Sequence, residues 1–183
     1  METIFTPSVY YTIVWTMIGM ALVVFLVLQN ITAGYGMMYD RRWGPTVGNR
    51  LGWVLMEAPV FFAMLLLWLL SDRKTEIAPA VMGSLFLFHY FQRSFIFPLL
   101  IKGKGRMPFS IILMGVIFNL VNAYMIGGWI FYVAPEGMYT PEWLTTPQFI
   151  IGTVIFFLGM GINLHSDHII RTLRKPGDTR HYI

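Results

Sequence analysis

Five apolar stretches separated by short polar segments follow one another along the chain. Each is close to the roughly 20 residues that cross a bilayer core as an α-helix, and they cover residues 9–31, 51–70, 78–101, 109–133 and 147–164. The fifth helix is predicted to continue through the polar segment 163–174 until the Lys-Pro-Gly break at 175–177. The loops are short and no repeat is visible. The pattern therefore predicts an all-α, polytopic transmembrane helical bundle with five spans, forming a single integral membrane domain over residues 1–183.

Composition agrees with lipid as the solvent, since 56% of the residues are hydrophobic and only 12% are charged. The chain has no cysteine, which excludes disulfides and thiolate metal sites. His165 and His168, with Asp167 between them, are too few ligands to predict a metal site. The net charge of +4 comes from basic residues that flank the apolar stretches, as at membrane surfaces, and it does not indicate nucleic-acid binding.

The loops differ sharply in basic residues, and cytoplasmic loops of membrane proteins retain Lys and Arg. The first loop, the third loop and the tail share ten of the thirteen basic residues: Arg41, Arg42, Arg50, Lys102, Lys104, Arg106, Arg171, Arg174, Lys175 and Arg180. The amino terminus is therefore predicted to lie away from the cytosol. An endoplasmic reticulum membrane and a bacterial inner membrane both fit this topology.

Ionisable side chains at membrane depth are the first candidates for chemistry, because a charge there costs about 3 kcal/mol or more. Glu57 lies in the second span beside Pro59. It is either a structural acid paired with Arg93 of the third span, or a neutral carboxyl that donates a hydrogen bond or proton to a substrate oxygen. Tyr90 lies three residues before Arg93 and supplies a phenol. Asn119 and Asn122 of the fourth span are expected to join helices by hydrogen bonds.

A polar stripe marks the end of the fifth helix. Asn163, Asp167, Arg171 and Arg174 recur at i, i+4, i+8 and i+11, which places them on one helical face. An amide, a carboxylate and two guanidiniums in line suit the ribose and phosphates of a nucleotide. The basic loop 102–106 lies on the same predicted side and offers further phosphate contacts.

Taken together, these motifs resemble the steroid 5α-reductase family, the 3-oxo-5α-steroid 4-dehydrogenases. The resemblance covers the chain from about residue 34 onward, and the run Asn163-x-His165-Ser166-Asp167 is its most specific part. The motifs occur in the family's order at residues 34–36, 53–59, 89–93, 105–106 and 159–176.

The resemblance implies NADPH-dependent reduction of the Δ4 double bond of a 3-oxo-Δ4 steroid in the membrane. Glu57 and Tyr90 would hydrogen-bond the 3-keto oxygen and stabilise the enolate as hydride reaches C5, before C4 is protonated. Trp53 and Phe118 would join Glu57 and Tyr90 in lining the steroid pocket. The implied partners are membrane lipid and a small hydrophobic steroid, with no obligate protein partner. The implied NADPH-binding residues are Tyr35, Arg93, Arg106, Asn163, Asp167, Arg171 and Arg174.

Two departures from the family pattern affect these expectations. Met114 stands where an arginine is expected in the animal enzymes, which bears on the pocket's polarity. The chain ends at Ile183, whereas the family pattern continues through a cytosolic loop and two further spans, seven in all, that complete the cofactor site. Five spans alone would leave NADPH partly exposed, and turnover is expected to need the further part.

Other functions fit the same residues. Relatives of this architecture reduce polyprenols or trans-2-enoyl thioesters. A transporter subunit would instead use Glu57, His89 and Arg93 as a proton or ion relay. In a non-enzymatic assembly subunit the polar groups would only join helices.

Overall fold

The computed structural model describes residues 2–31, 41–102 and 105–173. Within these residues the protein is helical apart from one small two-stranded ribbon and its loops. The principal elements are α1 (Pro7–Leu28), β1 (Thr46–Gly48), α2 (Asn49–Leu70), α3 (Ile77–Phe91), a π-helical turn (Gln92–Ile96), α4 (Phe97–Leu100), β2 (Arg106–Pro108), α5 (Phe109–Gly128), a second π-helical turn (Trp129–Val133) and α6 (Pro147–Thr172). Short 3-10 turns of the described residues lie at Glu2–Ile4, Arg41–Trp43, Asp72–Thr75 and Pro141–Thr145.

In the described part of the chain, four helices are long and apolar enough to cross a membrane, namely α1, α2, α5 with its π turn, and α6. They confirm the predicted helical bundle and four of its spans. The remaining predicted span, 78–101, is also helical, but its path from Ile77 to Leu100 is divided by the π turn into the 15-residue α3 and the four-residue α4. At 1.5 Å per residue that path is roughly 36 Å long.

The helix starts follow from capping residues in the sequence. Thr6 and Thr146 each accept a backbone N–H bond through the side-chain oxygen, from Val9 and Phe149 respectively, and a proline follows each as the first helical residue. With this start, α6 extends 26 residues to Thr172. The prediction that the fifth helix continues through the polar segment is thus confirmed to that residue.

The core lies where α2 packs against α5. Val60 and Met64 of α2 are fully buried. Glycine makes this contact possible, because a Cβ at Gly127 of α5 would lie only 2.9 Å from both the Met64 sulfur and Leu67 Cδ1. Small residues let membrane helices approach closely. The α2–α5 pair thereby holds the polar residues of these two helices near one another.

A short β-ribbon closes one end of the bundle, called here the ribbon end. β1 and β2 pair antiparallel, with Thr46 opposite Pro108 and Gly48 opposite Arg106. The Arg106 guanidinium reinforces the pairing, since Nε donates to Thr46 Oγ1 at 2.6 Å and Nη2 donates to the Thr46 carbonyl at 2.8 Å. The sequence did not predict this ribbon.

At the opposite end, aromatic side chains hold α1 against α5. Tyr10 is the buried residue of α1, and its hydroxyl donates to the Met125 carbonyl at 2.9 Å. Phe5, just before the helix, stacks on Tyr132 with ring centroids 4.2 Å apart. Further along α1 the apolar side chains are exposed, as at Leu22. The helix is therefore held at its N-terminal end and presents the rest of its surface to lipid.

Candidate active site

A cluster of four polar side chains joins α2, α3 and α5 inside the apolar bundle. Asn119 Nδ2 donates to Glu57 Oε2 at 3.2 Å and to the Met56 carbonyl at 3.0 Å. Tyr90 Oη donates to Asn119 Oδ1 at 3.5 Å and accepts from Asn122 Nδ2 at 3.0 Å. The acid and the phenol singled out in the sequence are thus connected through one amide. We call Glu57, Tyr90, Asn119 and Asn122 the polar cluster.

The local sequence accounts for the positions of Glu57 and Tyr90. Glu57 lies in the α2 turn before Pro59, and the Asn119 amide of the neighbouring helix donates to the Met56 carbonyl in that turn. Tyr90 lies one turn after Phe86 on α3, and the two rings pack with centroids 4.6 Å apart. Both side chains are half-buried, and they remain accessible to a small hydrophobic molecule.

Arg93 lies in the π turn that follows α3. Its guanidinium carbon lies 4.8 Å from the Trp53 ring centroid and 4.4 Å from that of Phe97, within the range of cation–π attraction. Nη1 donates to Asp167 Oδ2 at 2.9 Å and to Asn163 Oδ1 at 3.4 Å. Single π turns inside helices are frequent at functional sites, and this one carries the cation that connects α3 with α6.

The hydrogen-bond partners of Arg93 and Glu57 bear on the two interpretations of Glu57. Among the described residues, the salt bridge of Arg93 is with Asp167, and the carboxyl of Glu57 instead accepts from a neutral amide. The described residues thus show no direct ion pair between Glu57 and Arg93, and the role of Glu57 as a neutral donor stays a prediction. The expectation that Asn119 joins helices is confirmed, and both of its helix contacts lie at the candidate site.

The other predicted site residues occupy different places. Arg171 is half-buried one turn beyond Asp167 on α6. Arg106 is exposed at the ribbon end and bonds to Thr46. Phe118 is 54% exposed on α5, next to Asn119, and the non-family residue Met114 is 54% exposed one turn earlier. Tyr35 and Arg174 lie outside the described residues.

An apolar groove of about 370 Å³ lies between α3, α5 and α6. It begins at Phe86, the ring that packs on Tyr90, and extends away from the ribbon end. It is lined by Met82, Leu85, Phe86, Ile126, Ile130, Trp143, Gln148, Phe149, Gly152, Thr153 and Phe156. Sequence periodicity did not reveal this groove, because its lining comes from separate helices whose apolar faces look alike in sequence.

The α6 stripe has the donor and acceptor set that a dinucleotide needs. Asn163 is exposed and Asp167 and Arg171 are half-buried, and no described residue of α6 is buried. Asp167 uses one oxygen for Arg93, which leaves its other oxygen for a hydroxyl group such as that of a ribose. Arginines suit phosphate oxygens. The residues present therefore fit the ribose and phosphates of a nucleotide.

These features define a multi-pass helical membrane protein with an acid and a phenol joined inside the bundle and a polar helical stripe beside them. Comparison with known proteins specifies the class further. The model of the family described as "3-oxo-5-alpha-steroid 4-dehydrogenase" matches residues 105–183. The chain belongs to the steroid 5α-reductase (3-oxo-5α-steroid 4-dehydrogenase) family.

Individual relatives come from animals and plants. The chain is 32% identical to "3-oxo-5-alpha-steroid 4-dehydrogenase 1" of Bos taurus over 90% of its own length and 65% of the relative. It is 39% identical to "3-oxo-5-alpha-steroid 4-dehydrogenase 2" of Sus scrofa over 70% of the chain and 50% of the relative. It is 30% identical to "Steroid 5-alpha-reductase DET2" of Gossypium hirsutum over 93% of the chain and 67% of the relative. These matches span about half to two thirds of the relatives' lengths, and they confirm the resemblance noted in the motifs.

Proposed function

We propose that the protein catalyses NADPH-dependent reduction of the Δ4 double bond of a 3-oxo-Δ4 steroid, giving the 5α-reduced 3-oxo steroid. The observation that carries the proposal is the polar cluster, in which an acid and a phenol on different helices are joined through the Asn119 side chain. Family membership adds the reaction class. A multi-pass membrane protein provides the apolar surroundings from which such a substrate would arrive.

In this reaction, hydride adds to C5 of the enone and negative charge develops on the 3-keto oxygen. Donors aimed at an oxygen where charge develops lower the barrier to the reaction. Glu57 in its neutral form and Tyr90 each have an O–H group to donate there. The enolate then takes a proton at C4, which restores the ketone and completes the addition of one hydride and one proton.

The cofactor NADPH supplies the hydride when it is bound. Arg93, Asn163, Asp167 and Arg171 are the described residues that we propose hold it, with Tyr35, Arg106 and Arg174 added by resemblance. Because the loops at the ribbon end carry the basic residues, we place that end and the cofactor in the cytosol.

The apolar groove supports a substrate with a large hydrocarbon body, because it begins beside Tyr90 and lies at membrane depth. We expect Gly152→Phe to raise KM for the steroid about tenfold, with kcat less affected, because the new ring occupies part of the groove. The fold has room for the change, since a Cβ at Gly152 meets no atom within 4 Å. Steady-state kinetics in membranes is the measurement.

The matched control is Ile151→Phe. Ile151 is the neighbouring residue on α6, is 58% exposed and does not line the groove. It should leave KM unchanged. An equal rise in KM for both variants, or no rise for Gly152→Phe, would show that the groove does not receive the substrate.

The test of the proposed function is conversion of progesterone or testosterone by membranes that contain the full-length protein, with and without NADPH. We expect 5α-reduced product only when NADPH is present. No product from a folded protein that binds NADPH would contradict the steroid assignment, and reduction of a polyprenol or of a trans-2-enoyl thioester in the same membranes would replace it.

A further inference from the structure

Asn119 is 5% exposed and uses both ends of its side-chain amide inside the bundle. Its Nδ2 contacts Glu57 and the Met56 carbonyl on α2, and its Oδ1 contacts Tyr90 on α3. An asparagine side chain offers two N–H donors and a carbonyl acceptor. The NH₂ donor and the carbonyl acceptor of this amide therefore each have a hydrogen-bond partner at the candidate site.

The Met56 carbonyl fixes the orientation of the amide. A backbone carbonyl can only accept a hydrogen bond, and thus the group beside it must be the NH₂ end of Asn119. The same NH₂ end then faces Glu57 Oε2, 3.2 Å away. A neutral Glu57 accepts that bond through its carbonyl oxygen, and its O–H group stays free to donate in another direction.

Asn122 acts on Tyr90 in a similar way. One turn along α5 from Asn119, its Nδ2 donates to Tyr90 Oη at 3.0 Å, an ordinary hydrogen-bond length. The phenol thus accepts one bond and keeps its own proton to donate. That proton points towards Asn119 Oδ1 at 3.5 Å, the outer limit of a hydrogen bond, and a substrate oxygen at normal distance would compete for it successfully.

A residue that only joins helices would need one bond to another helix. Tyr132 on the π turn after α5 illustrates this, because its hydroxyl donates to the Leu67 carbonyl of α2 at 2.8 Å and makes no other hydrogen bond to described residues. Asn119 instead contacts the carboxyl and the phenol together. Both amides are neutral: Asn119 holds Glu57 through a hydrogen bond, and Asn122 holds Tyr90.

We propose that Asn119 and Asn122 are positioning residues, which aim the O–H groups of Glu57 and Tyr90 at one substrate oxygen. Asn119 sets the direction in which Glu57 donates, and Asn122 sets that of Tyr90. This inference rests on the proposed function, because it assigns these asparagines a role in the same reduction.

The test compares Asn119→Ala and Asn122→Ala with the wild-type protein in the steroid-reduction assay. Positioning residues act on the transition state, and we expect kcat to fall about 10- to 30-fold for Asn119→Ala and less for Asn122→Ala, with KM for steroid and NADPH affinity within about threefold. NADPH binding also verifies that each variant is folded. If Asn119→Ala fails to fold, Asn122→Ala carries the test alone.

Two controls separate positioning from packing. Tyr132→Phe removes a hydrogen bond between the same two helices away from the polar cluster and should leave kcat unchanged. In a Glu57→Gln, Tyr90→Phe background, the further loss on Asn119→Ala should shrink to about twofold or less, because groups that act through one another are not additive.

The outcomes distinguish this inference from the proposed function. No turnover by the wild-type protein would overturn both. Wild-type turnover with an unchanged kcat in the folded asparagine variants would overturn the positioning role alone. The positioning role would also be overturned if the asparagine variants lost no more kcat than Tyr132→Phe. It would likewise be overturned if their loss of kcat were fully additive with that of Glu57→Gln and Tyr90→Phe.

Discussion

The rate of steroid reduction is expected to fall about 10²-fold or more when Glu57 is replaced by Gln, and by a similar factor for Tyr90→Phe. The phenylalanine has no O–H group. The glutamine amide is a weaker donor than a neutral carboxyl and does not match the charge that develops on the 3-keto oxygen. Both changes preserve side-chain size, and neither residue makes a hydrogen bond to a described residue of the α6 stripe. NADPH affinity should therefore remain unchanged, as measured by equilibrium binding beside single-turnover product formation.

A matched control is available for the acid. Glu142→Gln makes the same substitution at a carboxyl exposed in the loop before α6, and it should leave the rate unaltered. If Glu57→Gln and Tyr90→Phe lost cofactor affinity as much as rate, the proposed division between a catalytic pair and a cofactor stripe would have to be abandoned.

The second large effect concerns the ion pair between Arg93 and Asp167. Asp167→Ala leaves the Arg93 guanidinium against the Trp53 and Phe97 rings without its carboxylate, and it removes the ion pair that connects the π turn after α3 with α6. The substitution also removes the carboxylate oxygen that we propose accepts from a ribose hydroxyl. A hydrogen bond to a charged group contributes roughly 1.5–3 kcal/mol, so the Kd for NADPH should rise about 30-fold. Equilibrium titration of membranes or detergent-solubilised protein with NADPH measures this.

Asp167→Asn distinguishes charge from shape. It keeps the size and one acceptor oxygen, and an intermediate rise in Kd is expected. His168→Ala changes the exposed neighbour on the same helix and should have little effect. Unchanged NADPH affinity in Asp167→Ala would refute the proposed cofactor role of the stripe.

The positions of the long helices could be predicted because a lipid solvent imposes one requirement, about 20 apolar residues for each span. The α6 helix illustrates this, since its extension past Asn163 could be predicted from the sequence. The π turn at Gln92–Ile96 could not be predicted from the sequence. It changes the hydrogen-bond pattern of an otherwise apolar helix, and it depends on how Arg93 packs against residues of α2, α4 and α6.

The ribbon was missed for a similar reason. Each strand has three residues, and the register depends on pairing between Thr46 and Pro108, which are far apart in the sequence. Periodicity over three residues carries too little information to predict a strand. The charge of the loop 102–106 and the family resemblance both suggest phosphate contacts for Arg106, and no local pattern indicates that its guanidinium bonds to Thr46.

The residues of the candidate site could be predicted from the sequence more readily than the contacts between them. Glu57, Tyr90 and Arg93 were noticeable because polar groups at membrane depth are costly and rare. Their partners depend on distances between helices. Gly127 lets α2 and α5 approach closely, and this close packing is part of what puts Asn119 within reach of Glu57.

The attachment of α1 at its N-terminal end also bears on how the chain is assembled during synthesis. The contact between Tyr10 and Met125 joins residues 115 positions apart, and the ribosome makes them at different times. While α2 to α4 are being synthesised, α1 must remain in the bilayer without this helix–helix contact. Among the long helices of the described residues, α1 contains the most apolar segment, which suits a span that first enters the membrane independently and docks only after α5 has followed it.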